Sequence, residues 1–77
     1  MVIKILGSGC PNCKKLEENT IKALEALKLE ATIEKVTAID DIIDYGIMKT
    51  PGLVIDDKVK SYGKVLTVQE IIDIINH

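Results

Sequence analysis

The chain has no phenylalanine and no tryptophan, and its only aromatic side chains beyond a terminal histidine are Tyr45 and Tyr62. A core must therefore come from Ile, Leu, Val and Ala. Ile and Val are β-branched and suit strands, so a sheet is expected even in 77 residues, the length of one small domain. No apolar run approaches the roughly 20 residues that span a bilayer. The N-terminal apolar patch lacks the basic n-region and small-residue cleavage site of a signal peptide. The expectation is a cytoplasmic protein with no membrane association. Ten basic and 12 acidic residues, mixed along the chain for a net charge of -2, leave no basic stripe for nucleic acid. With so small a charge and no large exposed apolar stripe in the pattern, a monomer is expected. Repeats, linkers and low-complexity segments are absent.

Cysteine is scarce as well, but its two copies stand together in Gly7-Ser8-Gly9-Cys10-Pro11-Asn12-Cys13. Before them lies a short apolar run, Val2 to Leu6, broken only by Lys4. That is the pattern of a strand covered on both faces. After them, Leu16, Thr20, Leu24 and Leu27 recur at helical spacing with Ala23 beside them, and lysines and glutamates fill the other face. Cys10 falls at the N-cap position and Pro11 at the first helical position, where its missing N–H costs nothing. The helix should fade near Lys28.

Leu29 to Val36 alternates loosely and predicts a second strand, parallel to the first because a helix separates them. Thr37 and Asp40 resemble a capping box. Ile39, Ile42 and Ile43 supply the apolar face of a short helix, Ala38 to Tyr45, with Gly46 as its stop. Thr50-Pro51-Gly52 then punctuates the chain before Leu53 to Ile55, a third strand. Asp56-Asp57-Lys58 makes a turn into a fourth, Val59 to Tyr62. Thr67 and Glu70 form a T-x-x-E capping box. Val68, Ile71, Ile72 and Ile75 give the last helix its stripe, broadened by Ile74. The expected fold is α/β, in the order β-α-β-α-β-β-α. It has a four-stranded mixed sheet, the first strand at its centre, helices one and three on one face and helix two on the other.

A helix N-terminus carries unpaired N–H groups and partial positive charge. A cysteine there is biased toward thiolate, the nucleophilic form. Cys13, one turn on, shares a face with Cys10 and lies toward Leu16 and Leu24, so it should be the more buried of the two. Their spacing permits a disulfide with little backbone movement. The reaction expected is thiol–disulfide exchange. Cys10 attacks a substrate disulfide and Cys13 resolves the mixed disulfide. The competing reading is a metal-binding or metal-transfer module using the same pair. A closed zinc site needs four ligands, and the only histidine is His77, the last residue, expected to be a solvated end. Small metal-handling domains with C-x-x-C after strand one also end on a strand, whereas this chain ends on a helix. A third reading, a non-catalytic adaptor, gives the cysteine pair no role.

The C-P-x-C after the first strand, Thr50-Pro51 opening the third and Gly63 after the hairpin resemble the thioredoxin fold. More closely, the chain resembles the small, glutaredoxin-sized thioredoxin-like proteins of archaea and bacteria known as redox-active disulfide proteins. The resemblance covers essentially the whole chain. It implies a protein-disulfide oxidoreductase with Cys10 as exposed nucleophile, Cys13 as resolving cysteine and no cofactor beyond their own disulfide. It also implies a cis Thr50–Pro51 bond beside the pair, with the Thr50 backbone pairing with an extended substrate. Pro11, Asn12 and Gly63 would complete the substrate-binding surface, Gly63 by leaving room. The implied partners are disulfide-containing proteins and an upstream electron donor of the thioredoxin-reductase kind. The chain also departs from its relatives. No Trp precedes the pair, and Val2 to Leu6 offers no counterpart to the buried Asp that thioredoxins place under the resolving cysteine. Water or Lys4 are the candidates for assisting Cys13. The Gly-Gly-x-Asp stretch with which glutaredoxins help hold glutathione is replaced by Tyr62-Gly63-Lys64-Val65, which supports no dedicated glutathione site.

Overall fold

The computed structural model describes residues 1–7, 9 and 11–76. The expectations for Ser8, Cys10 and His77, including Cys10 at the N-cap, lie outside the described residues. The elements are β1 (Val2–Leu6), α1 (Pro11–Leu27), β2 (Thr32–Val36), α2 (Ile39–Asp44), β3 (Gly52–Ile55), β4 (Lys58–Tyr62) and α3 (Val68–Ile75). They form one four-stranded sheet in the order β2-β1-β3-β4. β1 runs parallel to β2 and antiparallel to β3, and β3 is antiparallel to β4. The expected β-α-β-α-β-β-α order and mixed sheet are what the chain adopts.

Two apolar layers sandwich the sheet. Ile3 and Ile5 of β1 and Leu53 and Ile55 of β3 meet Leu16, Ala23 and Leu24 of α1 and Ile71 of α3. On the other face, Leu6 and Val54 meet Ile42 of α2 and Ile47. The alternation of side chains along β1 explains its nearly continuous apolar run, because it feeds both layers. Lys4 is the exception. Its ammonium donates to Tyr45 Oη at 2.9 Å and lies 3.6 Å from an Asp57 carboxylate oxygen. Inside α1, Thr20, the one fully buried polar side chain among the described residues, is satisfied by donating to the Leu16 carbonyl at 2.8 Å.

Local chemistry accounts for where elements begin and end. Thr67 and Glu70 make the expected capping box: Glu70 N–H donates to Thr67 Oγ1 at 3.2 Å and Thr67 N–H to Glu70 Oε1 at 3.1 Å. The N-terminus of α2 differs from expectation. The helix is capped by Ala38 without a side-chain hydrogen bond, and Thr37 stands one residue too early to serve. β2 starts at Thr32 rather than Leu29 because α1 closes in a Schellman motif. Lys28 is left-handed (φ 54°), Leu29 N–H reaches back to the Leu24 carbonyl at 3.0 Å, and Lys28 N–H to that of Glu25 at 3.1 Å. The β3–β4 turn is also shorter than expected. Asp56 and Asp57 both have positive φ (49° and 66°), the mirror-image turn whose twist matches a two-residue hairpin, so β4 already starts at Lys58. A bulge follows, with Val54 opposite Val59 but Leu53 opposite Ser61, leaving Lys60 as the extra residue.

Candidate active site

β1 delivers the chain to Gly7, whose N–H continues the parallel ladder by donating to the Val36 carbonyl at 2.9 Å. α1 then starts at Pro11, so Cys13 sits in its first turn. Cys13 is 5% exposed and disulfide-bonded; Cys10 lies outside the described residues. Cys13 is buried for a specific reason. Gly7 faces its sulfur so closely that a Cβ at position 7 would overlap Cys13 Sγ and lie 3.3 Å from Cys13 Cβ. The same point is 3.8 Å from Thr50 Cβ. Glycine is thus required here for close approach rather than for an unusual dihedral angle.

The second wall comes from the far half of the chain. The Thr50–Pro51 peptide bond is cis, Thr50 is exposed and Pro51 is buried. The Pro51 carbonyl accepts the Gly63 N–H at 2.9 Å. Gly63 has a left-handed φ of 77°, and a Cβ there would come within 3.2 Å of Lys49 Cβ. It therefore anchors the Thr50–Pro51 corner by its own backbone, besides being small. Cys13, Thr50, Pro51 and Gly63 are brought to one end of the sheet. Pro11 and Asn12 stand exposed on the first turn of α1.

Lys4 is not among the site's neighbours. Its Tyr45 hydrogen bond holds its pKa above the ordinary lysine value against the opposing effect of burial. Tyr45 and Asp57 therefore account for it. The group that does share Cys13's surroundings is one the helical pattern assigned to the solvent face. Glu17, one turn beyond Cys13, lines a small cavity of about 60 Å³ together with Cys13, Gly7, Lys35 and Thr37. Its carboxylate pairs with Lys35 Nζ of β2 at 3.2 Å and its side chain is only 21% exposed.

A second feature was hidden by periodicity. Of the three α2 isoleucines only Ile42 is buried, while Ile39 and Ile43 are 67% and 61% exposed. With Met48, 96% exposed, they surround an open cleft of about 660 Å³ whose wall includes Thr50. The expectation of no large exposed apolar stripe is corrected here. A helix of only six residues turns a narrow part of its circumference to the sheet, and here that part carries Ile42 alone. Among the described residues no three of His, Cys, Asp and Glu converge to hold a metal ion, and no helix is long and apolar enough to cross a membrane.

The chain can be set beside known proteins. A family model described as a thioredoxin domain matches residues 1–76. A thioredoxin of Methanothermobacter thermautotrophicus is 39% identical over 71 residues, covering 92% of each chain. A thioredoxin of Methanocaldococcus jannaschii is 42% identical over 71 residues, covering 92% of this chain and 81% of that protein. With the family match running nearly end to end and the relatives this similar, the chain belongs to the thioredoxin-domain family.

Proposed function

We propose that the protein is a dithiol oxidoreductase that exchanges a Cys10–Cys13 dithiol with disulfides of other proteins. The observation that carries the reading is the convergence of Gly7, buried Cys13 and exposed Thr50 at one end of the sheet. Cys10 thiolate attacks one sulfur of the substrate disulfide, and the other leaves as a thiolate. Cys13 thiolate then attacks Cys10 sulfur, the intermolecular S–S bond breaks, and the substrate leaves reduced by two electrons. Burial keeps Cys13 away from solvent oxidants and bulky disulfides, which suits the resolving role. Thr50 offers its backbone to an extended substrate segment, and Pro11, Asn12 and Gly63 complete the substrate-binding surface. The chain's own disulfide is the only redox group required, and an electron donor of the thioredoxin-reductase kind restores the dithiol.

The cleft of Ile39, Ile43 and Met48 beside Thr50 favours protein substrates with an apolar side chain near the disulfide over a small hydrophilic thiol. The test is dithiothreitol-driven insulin reduction together with thiol counting and zinc titration. Wild-type protein is expected to catalyse reduction and cycle between zero and two free thiols. Cys13→Ser is expected to stop turnover and accumulate a mixed disulfide. Tight zinc uptake with no reversible disulfide and no reductase activity would overturn the reading.

A further inference from the structure

Resolution of the mixed disulfide needs Cys13 as thiolate, and burial in apolar surroundings opposes that charge. We propose that Glu17 is the proton acceptor for Cys13, working through water in the small cavity they share; this rests on the dithiol reading above. Four observations support the assignment. Residues 13 and 17 are one helical turn apart, so their side chains start about 5–6 Å from each other on one face. Both line the same cavity, whose volume of about 60 Å³ accommodates a bridging water. Glu17 is the one carboxylate that lines it, the other charged groups there being Lys14 of the same helix and Lys35 of β2. Finally, Lys35 holds the carboxylate at 3.2 Å.

The charge balance explains why a carboxylate paired with a lysine suits the task. At rest Glu17 and Lys35 cancel, so Cys13 faces no net charge from the pair. When the Cys13 proton passes to Glu17, the carboxyl becomes neutral and the Lys35 ammonium is left facing the new thiolate. The thiolate attacks Cys10 sulfur, the bond from Cys10 to the substrate breaks, and the departing thiolate takes up a proton from Glu17 or solvent. No oxidant other than the substrate disulfide is needed. A carboxylate left permanently charged would instead repel the thiolate, so the two possible roles of Glu17 predict opposite effects of removing it.

The experiment follows reduced protein with the disulfide of 5-thio-2-nitrobenzoate by stopped flow across pH. The first chromophore released reports Cys10 attack and the second reports Cys13 resolving the mixed disulfide. A positioned general base contributes up to about a hundredfold or more near neutral pH, and that advantage fades once the thiol ionises on its own above its ordinary pKa of about 8.5. Glu17→Gln is expected to slow the second release about ten- to hundredfold at pH 7 and to match wild type near pH 10. Glu17→Asp is expected to retain most of the rate, and the first release is unchanged in both. An equal loss at every pH, or a faster second release at pH 7, would overturn the role of Glu17. A wild-type protein releasing only one chromophore would count against the dithiol reading itself.

Discussion

Replacing Gly7 by alanine adds a single methyl group where the structure leaves no room for it. The added carbon overlaps Cys13 Sγ and lies 3.3 Å from Cys13 Cβ, and Cys13 is buried and disulfide-bonded. The sulfur cannot swing aside as the end of a free side chain would. Forcing a methyl into a well-packed site costs about 1–3 kcal/mol. Gly7 has an ordinary backbone angle, so alanine recovers about 0.4–1 kcal/mol by restricting the unfolded chain. The net expectation for the oxidised protein is a loss of about 1–2 kcal/mol. For a domain of this size that lowers Tm by about 4–8 °C per kcal/mol. The penalty should shrink in the reduced protein, whose sulfur can adjust, and shrink further in a Cys13→Ala background, where the sulfur is gone. Urea titrations of the four proteins, oxidised where a disulfide exists and reduced in all cases, measure this coupling. If Gly7→Ala costs as much without Cys13 as with it, or nothing in the oxidised form, the close approach is not what the position requires.

The capping box of α3 gives a second prediction. Thr67→Ala should lower stability by about 1 kcal/mol, read as a shift in denaturation midpoint. Hydrogen bonds from Thr67 hold the Glu70 pKa below the ordinary glutamate value, so the contribution of Glu70 is present above the unfolded-state pKa and is lost as pH falls through the folded one. The gap between wild type and Glu70→Gln should therefore close on the acid side, as pH falls below the ordinary glutamate value. In the apolar cleft, Ile39→Ser with Met48→Ser should lower kcat/KM for insulin several-fold while leaving reduction of a small aromatic disulfide unchanged, since both side chains are exposed and their loss leaves the core intact. Equal effects on the two substrates would remove the cleft from the substrate surface.

Features carried by neighbours in sequence were legible from the sequence. Thr67 and Glu70 cap a helix because they are three residues apart and need nothing else. The apolar run of β1 announced its two-sided burial. The hairpin after Ile55 was legible too, but not that Asp56 and Asp57 alone would turn it. What could not be read depends on partners far along the chain or on conformations that residue types do not announce. Lys28 takes a left-handed angle usually left to glycine, and so ends α1 in a way that delays β2. Lys4 looked available, yet Tyr45, 41 positions away, engages it. Glu17 fell on the charged side of a helical wheel, but β2 brings Lys35 across and encloses it beside Cys13. Periodicity grouped Ile39, Ile42 and Ile43 on one face without indicating that only Ile42 would turn toward the sheet. Signals for Glu17 and Gly7 did exist: a carboxylate four residues after the second cysteine, and a glycine directly after the first strand.

The hydrogen bond from Gly63 to Pro51 also bears on the order in which the protein is made. The cysteines leave the ribosome first, whereas Thr50 and Pro51 follow about forty residues later and Gly63, which anchors them, about fifty. At about 5–20 residues per second, the growing chain spends roughly 2.5–10 s with its thiols synthesised and the Thr50–Pro51 corner not yet anchored beside Cys13. During that interval nothing from the second half of the chain limits what can reach the thiols. A chain truncated before residue 50 would thus carry Cys10 and Cys13 without the Thr50–Pro51 corner that stands beside Cys13 in the fold.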